Sequence, residues 1–301
     1  MIKAQLESIL GAGSVLCRQP LSQYTSFRVG GPAEYLVRPG DYSQVAQVIA
    51  YCAENGIQWH VLGRGTNLLV SDKGLSGVVI ALGDNLARIS VAGAKIVAQA
   101  GASLPRVSSV ALVNSLAGLE FASGIPGSVG GAVVMNAGAY DGEMKDVLRR
   151  VLAVNSQGEL VTFSLQEMEL GYRSSAFQSN GHIVLEAELE LLPGDARAIQ
   201  EKMNEFNRRR WEKQPLDKAS AGSTFKRPRG HYAGQLIESC NLRGMTLGGA
   251  AVSEKHCGFI INANQATAQD IFNLIRKVQE EVEKKHNILL VPEVKIWGEF
   301  Q

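Results

Sequence analysis

The sequence has few of the features that would mark a specialised class. Its 4 cysteines, Cys17, Cys52, Cys240 and Cys257, form neither a CxxC pair nor a cluster with metal-ligand spacing. That excludes a disulfide scaffold and a cysteine-bound metal, and free thiols fit a reducing compartment. The 5 histidines are scattered without an HExxH pattern, so no protein-bound metal is expected. No run approaches the roughly 18 apolar residues of a membrane-spanning helix. The opening Met1-Ile-Lys-Ala-Gln-Leu-Glu-Ser8 has no apolar signal-peptide core, which points to the cytoplasm. A net charge of +1 argues against nucleic acid or an anionic membrane as partner, which leaves small molecules.

Glycine, by contrast, is concentrated. Seven glycines fall between Gly118 and Gly142, and from Phe121 to Tyr140 no residue is charged. Glycine inside regular structure costs roughly 0.5–1 kcal/mol relative to alanine, so such a run serves another end. It supplies either positive φ or backbone that a neighbour approaches too closely for a Cβ. Gly124-Ile-Pro-Gly127-Ser128-Val-Gly130-Gly131 suits a planar ligand carrying phosphates, held on uncharged N–H donors. The competing reading is a tight turn between packed strands. A second glycine loop, Gly63-Arg64-Gly65-Thr66-Asn67, follows a strand. It is not a full GxGxxG, because Leu68 holds the third glycine position, and neither loop ends in the Gly-Lys-Ser/Thr of a triphosphate P-loop. Arg64 is either a bidentate phosphate ligand or a solvated turn arginine.

Periodicity supplies the frame. Asp41 ahead of Val45, Val48, Ile49 and Cys52 predicts a helix closed at Asn55-Gly56, between strands at 33–38 and 59–62. Ser103 is expected to cap a helix running to Leu116 and ended by Gly118. Strands are expected at 147–155, 160–163 and 182–191, the last with Ile183, Leu185, Ala187, Leu189 and Leu191 in period two. A helix from Asp195 to Arg210 ends in three arginines, which its dipole favours without a ligand. Thr267-Ala-Gln-Asp270 opens another helix in the manner of a capping box. The segment 287–297 reads as a strand interrupted by Pro292, hence an edge or a bulge. Three lobes result: 1–85, 86–211 and 212–301.

Three polar residues stand in contexts that local structure does not explain. Arg173 lies in the nonperiodic Gly171-Tyr-Arg-Ser-Ser, Ser223 follows Ala221-Gly222, and Glu293 follows the strand-breaking Pro292. No GxSxG elbow makes Ser223 a nucleophile. Singly, they also read as a surface arginine, a turn serine and an edge glutamate. From the residues alone the sequence is an α/β protein with a phosphate-bearing aromatic cofactor such as a flavin.

Six motifs in order carry a resemblance: Thr25-Ser-Phe-Arg-Val-Gly-Gly-Pro32, the 63–70 loop, the 124–131 loop with Asn136-Ala-Gly138-Ala, Gly171-Tyr172-Arg173-Ser-Ser-Ala-Phe177, Ala221-Gly-Ser223-Thr-Phe-Lys226, and Leu290-Val-Pro-Glu293-Val294. Together they resemble the UDP-N-acetylenolpyruvoylglucosamine reductases, the MurB family of peptidoglycan precursor synthesis, over roughly residues 20–298. The resemblance implies an α+β protein: a vanillyl-alcohol-oxidase/PCMH-type FAD-binding fold of two α/β lobes, spanning about 28–194, plus a C-terminal substrate domain. It implies non-covalent FAD, with NADPH as co-substrate. Arg64, Gly65, Thr66 and Asn67 would hold the pyrophosphate; Gly124, Gly127, Ser128, Gly130, Gly131, Asn136 and Gly138 would back the ring. Ser223 would be the proton donor, Arg173 and Glu293 would bracket the substrate carboxylate, and Tyr172 and Lys226 would meet the diphosphate and sugar. Arg227 stands where many members have asparagine. The short spacing between Arg173 and Ser223 matches the subclass without an inserted tyrosine lid. The alternatives implied by the same fold are an oxidase or dehydrogenase of another alcohol, or a nucleotide-sugar binder without catalysis.

Overall fold

In the computed structural model, which describes residues 1–301, the period-two pattern becomes the strand Ile183–Glu190. Ile183, Leu185, Ala187 and Leu189 are all buried. The strand pairs antiparallel with Leu148–Val154 on one side and Lys95–Gln99 on the other. Leu160–Ser164 and Ile89–Ala92 complete a five-stranded sheet, and the short helix Val129–Val134 packs against its central strand.

A second sheet has the order Val15–Pro20, Pro32–Val37, Leu75–Ala81, Trp59–Leu62. The last two run parallel, Trp59 opposite Val78 and Leu62 opposite Ala81. Helix Tyr42–Glu54 starts where Asp41 accepts from the Gln44 N–H at 2.8 Å and ends before Gly56 at φ 62°. Its face of Val45, Val48, Ile49 and Cys52 is wholly buried, and each large apolar side chain contributes about 1.5–3 kcal/mol. Burial pushes the Cys52 thiol up to about 11.

The chain divides into two compact units. One comprises Met1–Cys17, Tyr35–Arg64 and Gly77–Arg209; the other comprises Arg18–Glu34, Gly65–Ser76 and Arg210–Gln301. This differs from three contiguous lobes, for a reason that local periodicity does not carry. Leu68–Val70 pairs in parallel with Lys295–Trp297. Phe27, Val29 and Leu69 lie in one core with Ile271, Leu274 and Val278. The unit also holds a three-stranded antiparallel sheet (Thr246–Leu247, Ala250–Val252, Ile260–Asn262) and the helices Ala233–Ser239 and Ala268–His286. The second helix opens with the expected Thr267–Asp270 capping box. Asp72 adds its carboxylate, accepting from the Ala268 and Gln269 N–H groups.

Two local expectations change. The helix after Ser103 spans Leu104–Val113 and closes at Asn114 with Ser115 at φ 55°, short of Gly118. Ser103 makes no capping hydrogen bond; it forms an antiparallel bridge with Ser128 instead. The 287–297 segment is not one interrupted strand. Asn287 at φ 53° closes the preceding helix, and Pro292, lacking an N–H, sits in an isolated bridge with Phe225. Only Lys295–Trp297 is strand. No helix is long and apolar enough to cross a membrane.

Candidate active site

The charge-free glycine stretch folds as a loop entering the helix Val129–Val134, with Ser128 at its N-cap accepting from the Gly131 N–H at 3.4 Å. Fewer donors are available than the glycine content implies. The N–H groups of Ile125, Val129 and Gly130 donate to the carbonyls of Ala122, Ala102 and Ala100, and the Gly127 carbonyl accepts from Leu104. Gly124 and Gly127 are half-buried beside them. Gly130 is a packing glycine: a Cβ there would lie 2.9 Å from Ala100 Cβ. Gly131 is exposed, and its Cβ would meet only Ser128 Oγ, at 3.5 Å. A Cβ on Gly63 would lie 2.5 Å from Ser128 Oγ, so the 63–64 turn and the 127–131 loop adjoin. Arg64 is exposed at that junction. An uncharged backbone surface next to an exposed arginine is a donor set that fits a dinucleotide cofactor.

Gly138 serves packing too, since a Cβ would lie 2.6 Å from the Gly142 carbonyl. Asn136 is fully buried at φ 40°, and its side chain is engaged by the protein. Nδ2 donates to Glu143 Oε2 (3.1 Å) and the Gly171 carbonyl (3.0 Å), while Oδ1 accepts from the Lys145 N–H (2.9 Å). Asn136 therefore offers a ligand only its backbone, while its side chain anchors the loop that carries Arg173. Arg173 has φ 53°, and its Nη2 donates to the Gly138 carbonyl at 2.9 Å. Its guanidinium lies 5.3 Å from the ring centroid of the exposed Tyr172.

In the other unit, Gly65 has φ 62°, and a Cβ would lie 1.9 Å from the Tyr24 carbonyl; only glycine fits. Its own carbonyl accepts from the Ser26 N–H at 3.0 Å. Thr66 and Asn67 are half-buried, and Asn67 Nδ2 donates to the Glu293 carbonyl at 3.2 Å. Glu293 N–H donates to the Thr224 carbonyl and Lys226 N–H to the Val291 carbonyl, both at 2.8 Å. These bonds run 224–226 antiparallel to 291–293, with Phe225 opposite Pro292 and Thr224 opposite Glu293, so the segments carrying Ser223 and Glu293 lie side by side. Ser223 is exposed behind Gly222 at φ 79°, whereas Thr224 is buried with its hydroxyl accepting from the Ile260 N–H. Lys295, which periodicity did not single out, stands near Lys226: burial and then the Lys226 charge hold its ammonium below the usual lysine range. Lys226 and Lys295 are thus two cations close enough to feel one another, on the same pair of segments as Ser223 and Glu293.

Comparison with known proteins decides among the readings. The chain is 50% identical over 295 residues to the UDP-N-acetylenolpyruvoylglucosamine reductase of Caldanaerobacter subterraneus subsp. tengcongensis, covering 98% of this chain and 97% of that one. The chain belongs to the UDP-N-acetylenolpyruvoylglucosamine reductase family. The reductase of Clostridium kluyveri is 47% identical, with the same coverage. Residues 214–297 match the reductase C-terminal domain, and residues 33–164 match an FAD binding domain. The crystal structure of the Thermus caldophilus reductase superposes with a TM-score of 0.84 at 36% identity, covering 94% of this chain and 99% of that one. A glucose oxidase variant of Phl p 4 shares the FAD-binding fold alone, with a TM-score of 0.51 and 16% identity. The α+β, PCMH-type architecture of the reductase family is thus the architecture of this chain.

Proposed function

We propose that this protein reduces the enolpyruvyl ether of UDP-N-acetylglucosamine to UDP-N-acetylmuramate, a step of peptidoglycan precursor synthesis in the cytoplasm. FAD is its non-covalent cofactor and NADPH its reductant. The observation that carries the reading is 50% identity over 295 residues to a named reductase, and the pairing of 224–226 with 291–293 supports it by holding the segments of Ser223 and Glu293 together.

Reduced FAD, when bound, supplies a hydride to the enolpyruvyl methylene carbon. The adjacent carbon then carries negative charge delocalised into the carboxylate, and the protein's own residues deal with that charge. Arg173 binds the carboxylate, a match of planar guanidinium to planar anion. Its backbone is held at φ 53° and its Nη2 on the Gly138 carbonyl, so the group is oriented before substrate arrives. Ser223 Oγ donates the proton; an exposed serine suffices as acid because the carbanion beside it is strongly basic. Glu293 shares the bracketing of the carboxylate, and it is its protonated form, with an O–H to donate, that would stabilise the developing enolate. Lys226, with Lys295 crowded against it, takes the diphosphate, and Tyr172 the sugar.

Arg64, Gly65, Thr66 and Asn67 hold the cofactor pyrophosphate. The backbone of 124–131 and 136–138 holds the ring, with Gly131 supplying an exposed Cβ-free surface. The functional lobes 1–85 and 86–211 bind cofactor, and 212–301 binds substrate. The short spacing of Arg173 and Ser223 supports membership of the subclass without a tyrosine lid.

The test uses purified protein without oxygen. NADPH should abolish the visible flavin absorbance, and the enolpyruvyl nucleotide sugar should restore it. Loss without recovery would discard this substrate.

A further inference from the structure

We propose that Gln178 is a positioning residue for Arg173, fixing the arginine's left-handed backbone to the end of the cofactor-loop helix. This rests on the role of Arg173 given above. Gln178 ends the short 3-10 turn Ala176–Gln178 that follows the arginine loop. Its Nε2 donates to the Arg173 carbonyl at 3.0 Å and to the Val134 carbonyl at 2.9 Å. Both partners are carbonyls, so the amide orientation is dictated: only the NH₂ end can make both bonds. Val134 is the last residue of the helix Val129–Val134, and its carbonyl also accepts from Ser175 Oγ at 2.7 Å.

The arginine needs such a tie. At φ 53° a residue with a Cβ sits in a sparsely populated region, and it stays there only when its surroundings over-determine it. Asn136 holds the loop at the Gly171 carbonyl and Gly138 holds the guanidinium. Gln178 alone among these grips the Arg173 main chain through a side chain. Without its two N–H donors the Arg173 peptide unit is released from Val134, and the guanidinium loses its fixed origin. A misplacement of about 1 Å costs on the order of 100-fold in rate.

Three variants test this. Gln178→Glu keeps shape but sets a carboxylate against two carbonyls, Gln178→Ala removes the amide, and Gln178→Lys restores donors without an acceptor. Calorimetric affinity for the enolpyruvyl nucleotide sugar should fall at least 10-fold in the Glu and Ala variants and recover in Lys. Affinity for UDP-N-acetylglucosamine, which has no carboxylate, should stay within 2-fold, as should FAD retention. The 10-fold threshold is about 1.4 kcal/mol. In an Arg173→Ala background, Gln178→Ala should cost nothing further.

Equal losses for both ligands would make Gln178 merely structural and overturn the proposal, as would a full additional loss in the Arg173→Ala background. Wild-type carboxylate affinity in Arg173→Ala itself would instead overturn the reading of Arg173. If Gln178→Glu does not fold, the Ala and Lys pair decides.

Discussion

At the scale of single residues, Ser223 is exposed behind a positive-φ glycine while its neighbour Thr224 is buried and bonded, so its hydroxyl can be removed without disturbing the core. Ser223→Ala should leave reduction by NADPH nearly intact and slow reoxidation by the enolpyruvyl substrate on the order of 10²–10⁴-fold, as for loss of a general acid. Equal slowing of both half-reactions would remove the proton-donor role. Lys295 is depressed by burial first and by Lys226 second, so Lys226→Gln should raise the Lys295 pKa while weakening UDP binding. Proton titration by NMR and calorimetry read the two effects separately. His256 offers a pH prediction with a definite sign. Burial, with Arg243 and Lys213, holds it below the usual histidine range, near 6.5. The unfolded chain therefore takes up a proton at pH values where the folded chain refuses it. The stability linked to His256 is intact above the unfolded pKa and falls as pH drops below it, until the lowered folded pKa is passed. His60, lowered by burial, adds in the same direction. Urea midpoints at about pH 7.5 and about pH 5, either side of the ordinary histidine pKa, should converge in His256→Asn relative to wild type. An unchanged difference would assign the acid sensitivity elsewhere.

At the scale of elements, two adjacent glycines should respond to alanine with opposite signs. Gly130→Ala drives a Cβ to 2.9 Å from Ala100 Cβ in a buried helix, and overpacking of this kind costs about 1–3 kcal/mol. Gly131→Ala makes only an ordinary contact with Ser128 Oγ at 3.5 Å, so the apoprotein should gain about 0.4–1 kcal/mol through the unfolded chain. If that surface backs the flavin ring, the same change should weaken FAD retention. Melting of apo and FAD-loaded protein separates the two, and a Gly131→Ala protein that keeps FAD as tightly as wild type would make the loop a simple turn. The 138–143 hairpin shows why such elements escape sequence reading. Tyr140 and Asp141 both take positive φ without glycine, and the Tyr140 ring stacks on Phe206 at 4.5 Å. A contact from a distant helix holds a turn that its own residues do not favour.

At the scale of the whole molecule, the second unit draws three separate stretches into one core. An isolated 210–301 fragment would lack Phe27, Val29 and Leu69, and the Lys295–Trp297 strand would lose its partner Leu68–Val70. It should show no cooperative thermal transition by circular dichroism. In the full chain Phe27→Ala should cost about 3–5 kcal/mol. A fragment that melts cooperatively would mean that the C-terminal segment is self-sufficient.

The sequence by itself determined what depends on neighbours along the chain: the helix face of Val45, Val48, Ile49 and Cys52, the alternation of Ile183–Glu190, the Thr267–Asp270 capping box, and the ordered motifs that mark the family. Side-chain period and capping are local, so they are legible in order. Only the tertiary structure decided which glycines pack and which are open, that Asn136 spends its side chain on the Arg173 loop, that Lys295 crowds Lys226, and that 18–34 and 65–76 belong with the C-terminal segment. Each of these depends on what lies across a gap in space, and residue spacing along a chain carries no record of that distance.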